Sequence, residues 1–145
     1  MFNPMDKSRQ YIQMCKTSKE IQSKWLQTPG DLFVNINNKI SFWTNQSSNS
    51  FTIKNGFKIE NENELIKIEK FFWLPSLDQL LETAQIKEKS YRDTTFVFFE
   101  WTKQKYSQDS KSADSIFGSL EQLWLGYVME KKFSKKWVND IWKEI

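Results

Sequence analysis

The C-terminal residues hold the clearest candidate for binding chemistry, because lysines there are interleaved with tryptophans. The candidate nucleic-acid-binding residues are Lys131, Lys132, Lys135, Lys136, Trp137 and Trp142. Lysine ammonium groups neutralise phosphates and indole rings stack on unpaired bases, so the pattern suits weak, sequence-indifferent binding of single-stranded nucleic acid. The alternative is structural: a basic helix end that complements its own dipole, with both tryptophans packed in the interior.

A second basic group lies near the N-terminus, at Lys7, Arg9, Lys16, Lys19 and Lys24. It fits the polar face of an amphipathic helix, and nucleic-acid contact is the alternative. The chain has 21 basic residues and a net charge of +3, and only Arg9 and Arg92 are arginines. Reading of base edges favours the bidentate guanidinium group, so a surface rich in lysine suits unspecific phosphate contact or solubility.

The composition excludes several kinds of catalytic site and cofactor site. The chain has 0 His, which removes His-based triads, proton shuttles and His-ligated metals. Cys15 is the single cysteine, so it forms no intrachain disulfide or thiolate cluster, and we expect a buried, inert thiol. The 4 glycines are scattered and match no phosphate-binding loop. No cofactor is therefore expected.

Carboxylates that hold Mg²⁺ are the remaining catalytic option. Asp78 and Glu82 lie one helical turn apart, and further acids fall in predicted loops, namely Glu60, Glu62, Glu64, Asp109 and Asp114. None of these spacings is distinctive, so we interpret the acids as solvated or capping groups. Glu100, between Phe99 and Trp101, is a candidate general acid if it is buried, although on a helix it can also point outward. An enzyme is not favoured.

The first half of the chain predicts one helix followed by short strands. Tyr11, Met14, Ile21 and Trp25 share a stripe that predicts a helix over 7–26, with Ser18 filling the gap in the stripe. Strands are expected at 32–36 and 40–44, joined at Asn37-Asn38, and at 51–54 and 57–59, joined at Asn55-Gly56. A last strand is expected within 65–74, and polar loops at 45–50 and 60–64.

The second half reads as helical. Ser76 with Gln79, and Ser119 with Gln122, each predict a helix that begins with a capping box. Residues 91–107 have strand propensity and helical spacing, and the lack of a turn signal favours a helix. A flexible loop is expected at 107–115, and 133–145 forms a short final helix or an extended docking segment. The broad apolar face of the last long helix is assigned to the core, with Leu120, Leu123, Trp124, Tyr127 and Val128.

These elements predict an α+β fold: an N-terminal helix, a small antiparallel β-meander of four to five strands, and C-terminal helices packed on one face. The 145 residues fit a single domain, with residues 1–6 flexible. The longest apolar runs are too short to cross a bilayer and no secretory signal is visible, so we expect a cytoplasmic protein with no membrane partner.

Three stretches resemble a family of small uncharacterised proteins encoded by phages and prophages of low-GC Gram-positive bacteria, including staphylococcal siphophages. They are Glu20-Ile21-Gln22 through Trp25 to Gly30-Asp31, Phe72-Trp73-Leu74-Pro75-Ser76-Leu77-Asp78-Gln79-Leu80, and Ser119-Leu120-Glu121-Gln122-Leu123-Trp124-Leu125 through Val128-Met129 to Lys136-Trp137. The resemblance covers most of the chain. It implies a phage origin and the cytoplasm of a bacterial host, and it transfers no functional residues.

The aromatic content indicates the function that we favour. A chain with 7 Trp and 12 Phe has more large rings than a core of this size readily encloses. Rings left outside would form a patch for a partner. We therefore expect a non-enzymatic protein that contacts another protein or a second copy of itself, and the resemblance implies that it is a phage accessory protein whose partner is a host or phage protein. A weak nucleic-acid binder is the alternative, and a metal-dependent carboxylate enzyme is the third option.

Overall fold

The computed structural model of the chain describes residues 5–43, 52–54, 57–59, 67–85, 90–106 and 116–145. The chain divides into two compact units. We call the unit formed by Met1–Met14 and Ser76–Ile145 the helical unit, and the unit formed by Cys15–Pro75 the sheet unit. The mixed α+β composition, the N-terminal helix and the C-terminal helices are confirmed. The single domain and the packing of helices on one face of the sheet stay predictions.

The predicted helix over 7–26 is wrong in its length, because it is broken at Ser18. The structure has α1 over Arg9–Thr17 and α2 over Lys19–Gln22. Ser18 is fully buried, and both its N–H and its hydroxyl donate to the carbonyl oxygen of Cys15, at 3.2 and 2.8 Å. A serine side chain that competes for a helical carbonyl in this way favours a turn over a continuing helix.

The sheet is not the predicted meander. Its five strands are β1 (Leu32–Asn35), β2 (Ile40–Phe42), β3 (Thr52–Lys54), β4 (Phe57–Ile59) and β5 (Lys67–Leu74). The strand order is β2-β1-β5-β4-β3 and every pair is antiparallel. The 8 residues of β5 explain the difference: the β1 hairpin pairs with the second half of β5 and the β4 hairpin with the first half. One long strand thus joins a three-stranded part to a two-stranded hairpin.

Both predicted hairpins are confirmed. At the first turn, predicted at Asn37-Asn38, Asn38 adopts a φ of 63° and the side chain of Asn35 accepts the N–H of Asn37 at 2.9 Å. In the second, β3 pairs with β4 as the Asn55-Gly56 signal predicts, although that dipeptide lies outside the described residues. The predicted loops also lie largely or wholly outside them, at 45–50, 60–64 and 107–115.

Aromatic rings fill the interior of the sheet unit. Trp25 and Trp73 are parallel within 2°, with ring centroids 6.4 Å apart, and the rings of Phe33 and Phe71 lie 4.8 Å apart. The indole N–H of Trp25 donates to the buried carboxylate of Asp31 at 3.0 Å. Buried rings of this kind supply most of the apolar area that stabilises a small sheet.

Among the described residues of the helical unit, three helices follow the sheet in the chain, namely α3 (Leu77–Ala84), α4 (Tyr91–Tyr106) and α5 (Leu120–Phe133). The preference for a helix over 91–107 is confirmed. The capping box at the start of α3 is complete: the Ser76 hydroxyl accepts the Gln79 N–H at 3.3 Å, and the Gln79 side chain accepts the Ser76 N–H at 2.8 Å.

The apolar face predicted for α5 is correct for Trp124, Tyr127 and Val128, which are buried. It is wrong for Leu120, which is 48% exposed in the first turn. The centre of α5 is buried on almost every side, and a methyl group at Gly126 would lie 2.7 Å from the ring of Phe117. This close approach explains a glycine in the middle of a helix, where it otherwise costs about 1 kcal/mol relative to alanine.

The C-terminal segment is a β-hairpin, so of the two alternatives for 133–145 the short final helix is wrong and the extended segment is the correct one. Strands β6 (Lys135–Val138) and β7 (Ile141–Glu144) pair in antiparallel fashion. The two residues between them, Asn139 and Asp140, have φ angles of 50° and 65°. Two consecutive positive φ angles make the type I′ turn that suits a two-residue hairpin. Ser134, with a φ of 54°, ends α5 before the first strand.

Candidate functional site

The C-terminal hairpin places Lys136 on the face opposite the two tryptophans that follow it in the sequence. Lys136 pairs with Lys143 and Trp137 with Trp142, and neighbouring positions of a strand point to opposite faces. Trp137 is only 8% exposed, and the indole N–H of Trp142 donates to the carbonyl of Met14 at 3.0 Å. One face therefore carries the ammonium groups of Lys136 and Lys143, and the other carries Lys135, Glu144 and two rings that are largely engaged within the helical unit.

The remaining candidate lysines are not gathered into a groove. Lys131 and Lys132 are exposed in the last turn of α5, where they complement the helix dipole. Lys135 is half-buried and lies opposite Glu144. Nucleic-acid binding by this segment stays a prediction, and its geometry is not that of a stacking platform.

The acidic residues do not converge in the part of the chain that the structure describes. No group of three or more His, Cys, Asp or Glu residues there could hold a metal ion. Asp78 and Glu82 are exposed on α3. Glu100 is 45% exposed and lies 3.9 Å from Lys103, so burial does not prepare it as a general acid. Cys15 is buried, as expected. The acids at 60, 62, 64, 109 and 114 lie outside the described residues.

Sequence reasoning missed a polar network that joins the starts of α1 and α5. The Asp6 carboxylate accepts the Ser8 N–H at 2.7 Å, the Ser119 hydroxyl, and the Gln122 amide at 2.9 Å. Gln122 is only 2% exposed, and its carbonyl oxygen accepts the Gly118 N–H at 2.8 Å. The second predicted capping box is therefore half-formed, because the Gln122 side chain contacts Asp6 and Gly118 and does not return to the cap.

This network predicts an acid-dependent loss of stability. Burial raises the pKa of the Asp6 carboxyl, hydrogen bonds from Ser119, Ser8 and Gln122 lower it, and the balance holds the pKa below its ordinary value of 3.8. A lowered folded-state pKa contributes stability above the unfolded-state pKa, and this contribution is lost as pH falls through the folded-state value. We expect Asp6→Asn to lower the free energy of unfolding by about 1 kcal/mol at neutral pH.

Urea unfolding of the wild type and Asp6→Asn at a series of pH values checks this expectation. The difference between the two proteins should shrink as pH falls below about 4, because the Asp6 carboxyl of the unfolded wild type then binds a proton before that of the folded protein does. A difference that stays constant through this range would show that the charge of Asp6 does not contribute.

Helix α4 carries aromatic residues on two faces, and the inner face is packed. Phe98 is 1% exposed and stacks on Trp124, with centroids 3.8 Å apart and planes within 8°. The indole N–H of Trp101 donates to Glu130 at 3.0 Å, and the ammonium group of Lys105 lies 2.6 Å from the other oxygen of Glu130. These contacts fix which face of α4 is turned towards α5.

The other face of α4 carries a stripe of four residues, which we call the α4 stripe: Arg92, Phe96, Phe99 and Lys103. Their spacings of four, three and four residues place them along one side of a helix. Phe96 is 65% exposed and Phe99 is 54% exposed, and both flanking cations are exposed. The stripe thus presents two rings with a positive charge one turn beyond each end.

The exposed rings of the α4 stripe contrast with the tryptophans, six of which are buried out of seven. Phe42 and Tyr91 are exposed as well, at 63% and 57%, and the α4 stripe differs from them in placing two exposed rings next to each other on one helical face. A helix with apolar residues on opposite faces is typical of an element that is covered on both sides. Single exposed apolar residues are common on protein surfaces, whereas adjacent rings on one helical face indicate a contact surface.

No protein-family model, curated protein sequence or solved structure matches this chain. The resemblance to phage proteins therefore stays a prediction. Within the described ranges, no helix is both long and apolar enough to cross a membrane.

Proposed function

We propose that this chain is a non-enzymatic interaction protein whose α4 stripe binds an acidic amphipathic segment of another protein. The observation that carries the proposal is the pair of exposed rings, Phe96 and Phe99, flanked by Arg92 and Lys103. The resemblance to phage proteins adds that it is a phage accessory protein acting on a host or phage factor in the bacterial cytoplasm.

The two rings supply the affinity in this proposal. Burying an exposed phenylalanine side chain contributes about 1.5–3 kcal/mol, so two rings in a partner groove suffice for a weak, reversible complex. Aromatic residues at helical spacing are the usual anchors when a helix docks against another element. α4 has 16 residues and its inner face is packed on α5, so the rings are presented on a rigid element.

The two cations supply the selectivity. A partner with an acid beyond each end of its apolar centre would pair with Arg92 and would compete with Glu100, 3.9 Å away, for Lys103. A second copy of this chain fits less well: if two α4 helices pack antiparallel with Phe96 against Phe99, Arg92 of one copy faces Lys103 of the other. Like charges facing each other across an interface weaken it, so charge complementarity favours an acidic partner over self-association.

A synthetic helical peptide tests the proposal directly. Its stripe has the pattern Glu-x-x-x-Leu-x-x-Leu-x-x-x-Glu, its other positions are neutral helix formers, and its affinity is measured by fluorescence anisotropy. We expect Phe96→Ser with Phe99→Ser to weaken binding by at least about tenfold, because the apolar contact is lost. The matched control is Ile141→Ser, which removes another exposed apolar side chain, 51% exposed on β7, and should leave the affinity unchanged.

Two results would contradict the proposal. One is equal binding of the peptide to the wild type and to the double variant. The other is a wild type that elutes as a dimer in size-exclusion chromatography with light scattering and becomes a monomer in the double variant, because the stripe would then be a self-association surface.

A further inference from the structure

A pocket in the sheet unit is lined by three lysines and by the partly exposed ring of Phe72. The pocket encloses about 170 Å³ and is lined by Lys16, Lys19 and Lys70 together with Ser23. The ammonium nitrogens of Lys16 and Lys70 lie 5.2 and 5.0 Å from the centre of the Phe72 ring. Both lie within the distance at which a cation is attracted to an aromatic face. We call this site the Phe72 pocket.

The Lys16 ammonium group is held in place. It donates to the side-chain oxygen of Asn38 at 2.9 Å and to the carbonyl oxygen of Ile36 at 3.3 Å. An ammonium group has three N–H donors, so Lys16 can donate to one further acceptor while it keeps its bonds to Asn38 and Ile36. The Lys70 ammonium group approaches the same ring and also lines the pocket, so an anion bound there would be attracted by both lysines.

The other polar side chains that line the pocket, Gln22 and Ser23, form hydrogen bonds to the backbone, so the lysines are the groups proposed to bind a ligand. The Gln22 amide is engaged at both ends, accepting the Trp73 N–H at 2.6 Å and donating to the Trp73 carbonyl at 2.9 Å. The Ser23 hydroxyl donates to the carbonyl of Glu20 at 2.7 Å. No acidic residue is among the described residues that line the pocket. A site of this kind attracts a small ligand that carries several negative charges.

We infer that the Phe72 pocket binds a phosphate group. Lysine ammonium groups are point charges that suit phosphate oxygens without requiring planar geometry. The volume is below the range of about 300–1,000 Å³ found for pockets that enclose whole drug-sized ligands, so the pocket takes the phosphate group and leaves the rest of the ligand outside. The group can come from a free phosphorylated metabolite or from a nucleic-acid backbone. This inference involves the sheet unit and does not rest on the proposed function of α4.

Isothermal titration calorimetry with inorganic pyrophosphate tests the inference, with a fluorescent oligo-dT strand as a second probe at the same ionic strength. We expect Lys16→Gln with Lys70→Gln to weaken pyrophosphate binding by at least about tenfold, since two charge-assisted contacts are lost. The matched control is Lys131→Gln with Lys132→Gln, which removes the same charge from α5 and should change the affinity less than about twofold. Circular dichroism checks that both variants stay folded.

The two probes distinguish the sources of the phosphate. Binding of pyrophosphate without oligo-dT supports a free phosphorylated ligand. Binding of oligo-dT that weakens with salt and with Lys16→Gln and Lys70→Gln supports a nucleic-acid backbone. The inference is overturned if neither probe binds, if sulfate binds as tightly as pyrophosphate, or if the α5 control loses as much affinity as the pocket variant.

Discussion

Replacing Phe98 by alanine is expected to lower the free energy of unfolding by about 3–5 kcal/mol, the usual effect of removing a buried aromatic ring. The ring is 1% exposed and stacks on Trp124 at 3.8 Å, with the ring of Tyr127 at 5.4 Å in an edge-on arrangement. Removal leaves a cavity among large rigid rings that have little freedom to collapse into it. Urea unfolding followed by tryptophan fluorescence measures the loss.

The same helix offers a matched control. Phe96 lies two residues away, is 65% exposed, and belongs to the outer face. Phe96→Ala should change the free energy of unfolding by no more than about 0.5 kcal/mol, as is usual for surface positions. Equal losses for the two variants would mean that both faces of α4 are structural, and the assignment of the outer face to a partner would then be wrong.

Replacing Gln22 by methionine is expected to lower the free energy of unfolding by about 2–4 kcal/mol. The Gln22 amide bonds both the N–H and the carbonyl of Trp73, at 2.6 and 2.9 Å, so it takes the place of a strand beside this part of β5. β4 pairs only with the first half of β5, at 67–70. Methionine fills the same space without hydrogen bonds, and each unpaired backbone group costs about 1–3 kcal/mol.

Gln104→Met is the control for this substitution, because Gln104 is exposed on α4. It should leave the free energy of unfolding within about 0.5 kcal/mol of the wild type. Hydrogen exchange gives a second readout: the Trp73 amide should exchange faster in Gln22→Met. Wild-type stability together with unchanged exchange would show that the Gln22 bonds contribute nothing, for example because water replaces them.

Local signals in the sequence predicted the local structure well. A serine with glutamine three residues later gave the start of α3, and Asn55-Gly56 indicated the hairpin of β3 and β4, because such contacts form between near neighbours in the chain. The hairpin at Asn139-Asp140 had a usable turn signal as well. That signal was not used, because the lysines and tryptophans around it were interpreted as the end of a helix.

Contacts between distant residues could not be predicted in the same way. Gln122 has the pattern of a capping glutamine, but its side chain bonds the carboxylate of Asp6, a partner 116 residues away. The place of β5 between β1 and β4 follows from its length and from pairing on both edges. Local propensity contains no information about either choice.

The sequence predicted that the candidate site would consist of exposed aromatic rings, but it did not identify which residues they are. The number of rings predicted that some would lie outside, yet α4 carries rings on two faces, so periodicity alone could not identify which face packs. The stacking of Phe98 on Trp124 settles the inner face and leaves Phe96 and Phe99 outside. The Phe72 pocket depends on Lys16 of α1 approaching the ring of Phe72 in β5, which is again a contact between distant residues.

A charge-reversal exchange tests the α4 stripe most directly. Arg92→Glu with Lys103→Glu should bind a peptide flanked by lysines at least about tenfold more tightly than one flanked by glutamates, while the wild type shows the opposite order. Anisotropy titrations of both proteins against both peptides give the four affinities. An inverted preference is the result that the account predicts. The same preference in both proteins, or no preference in either, would contradict it.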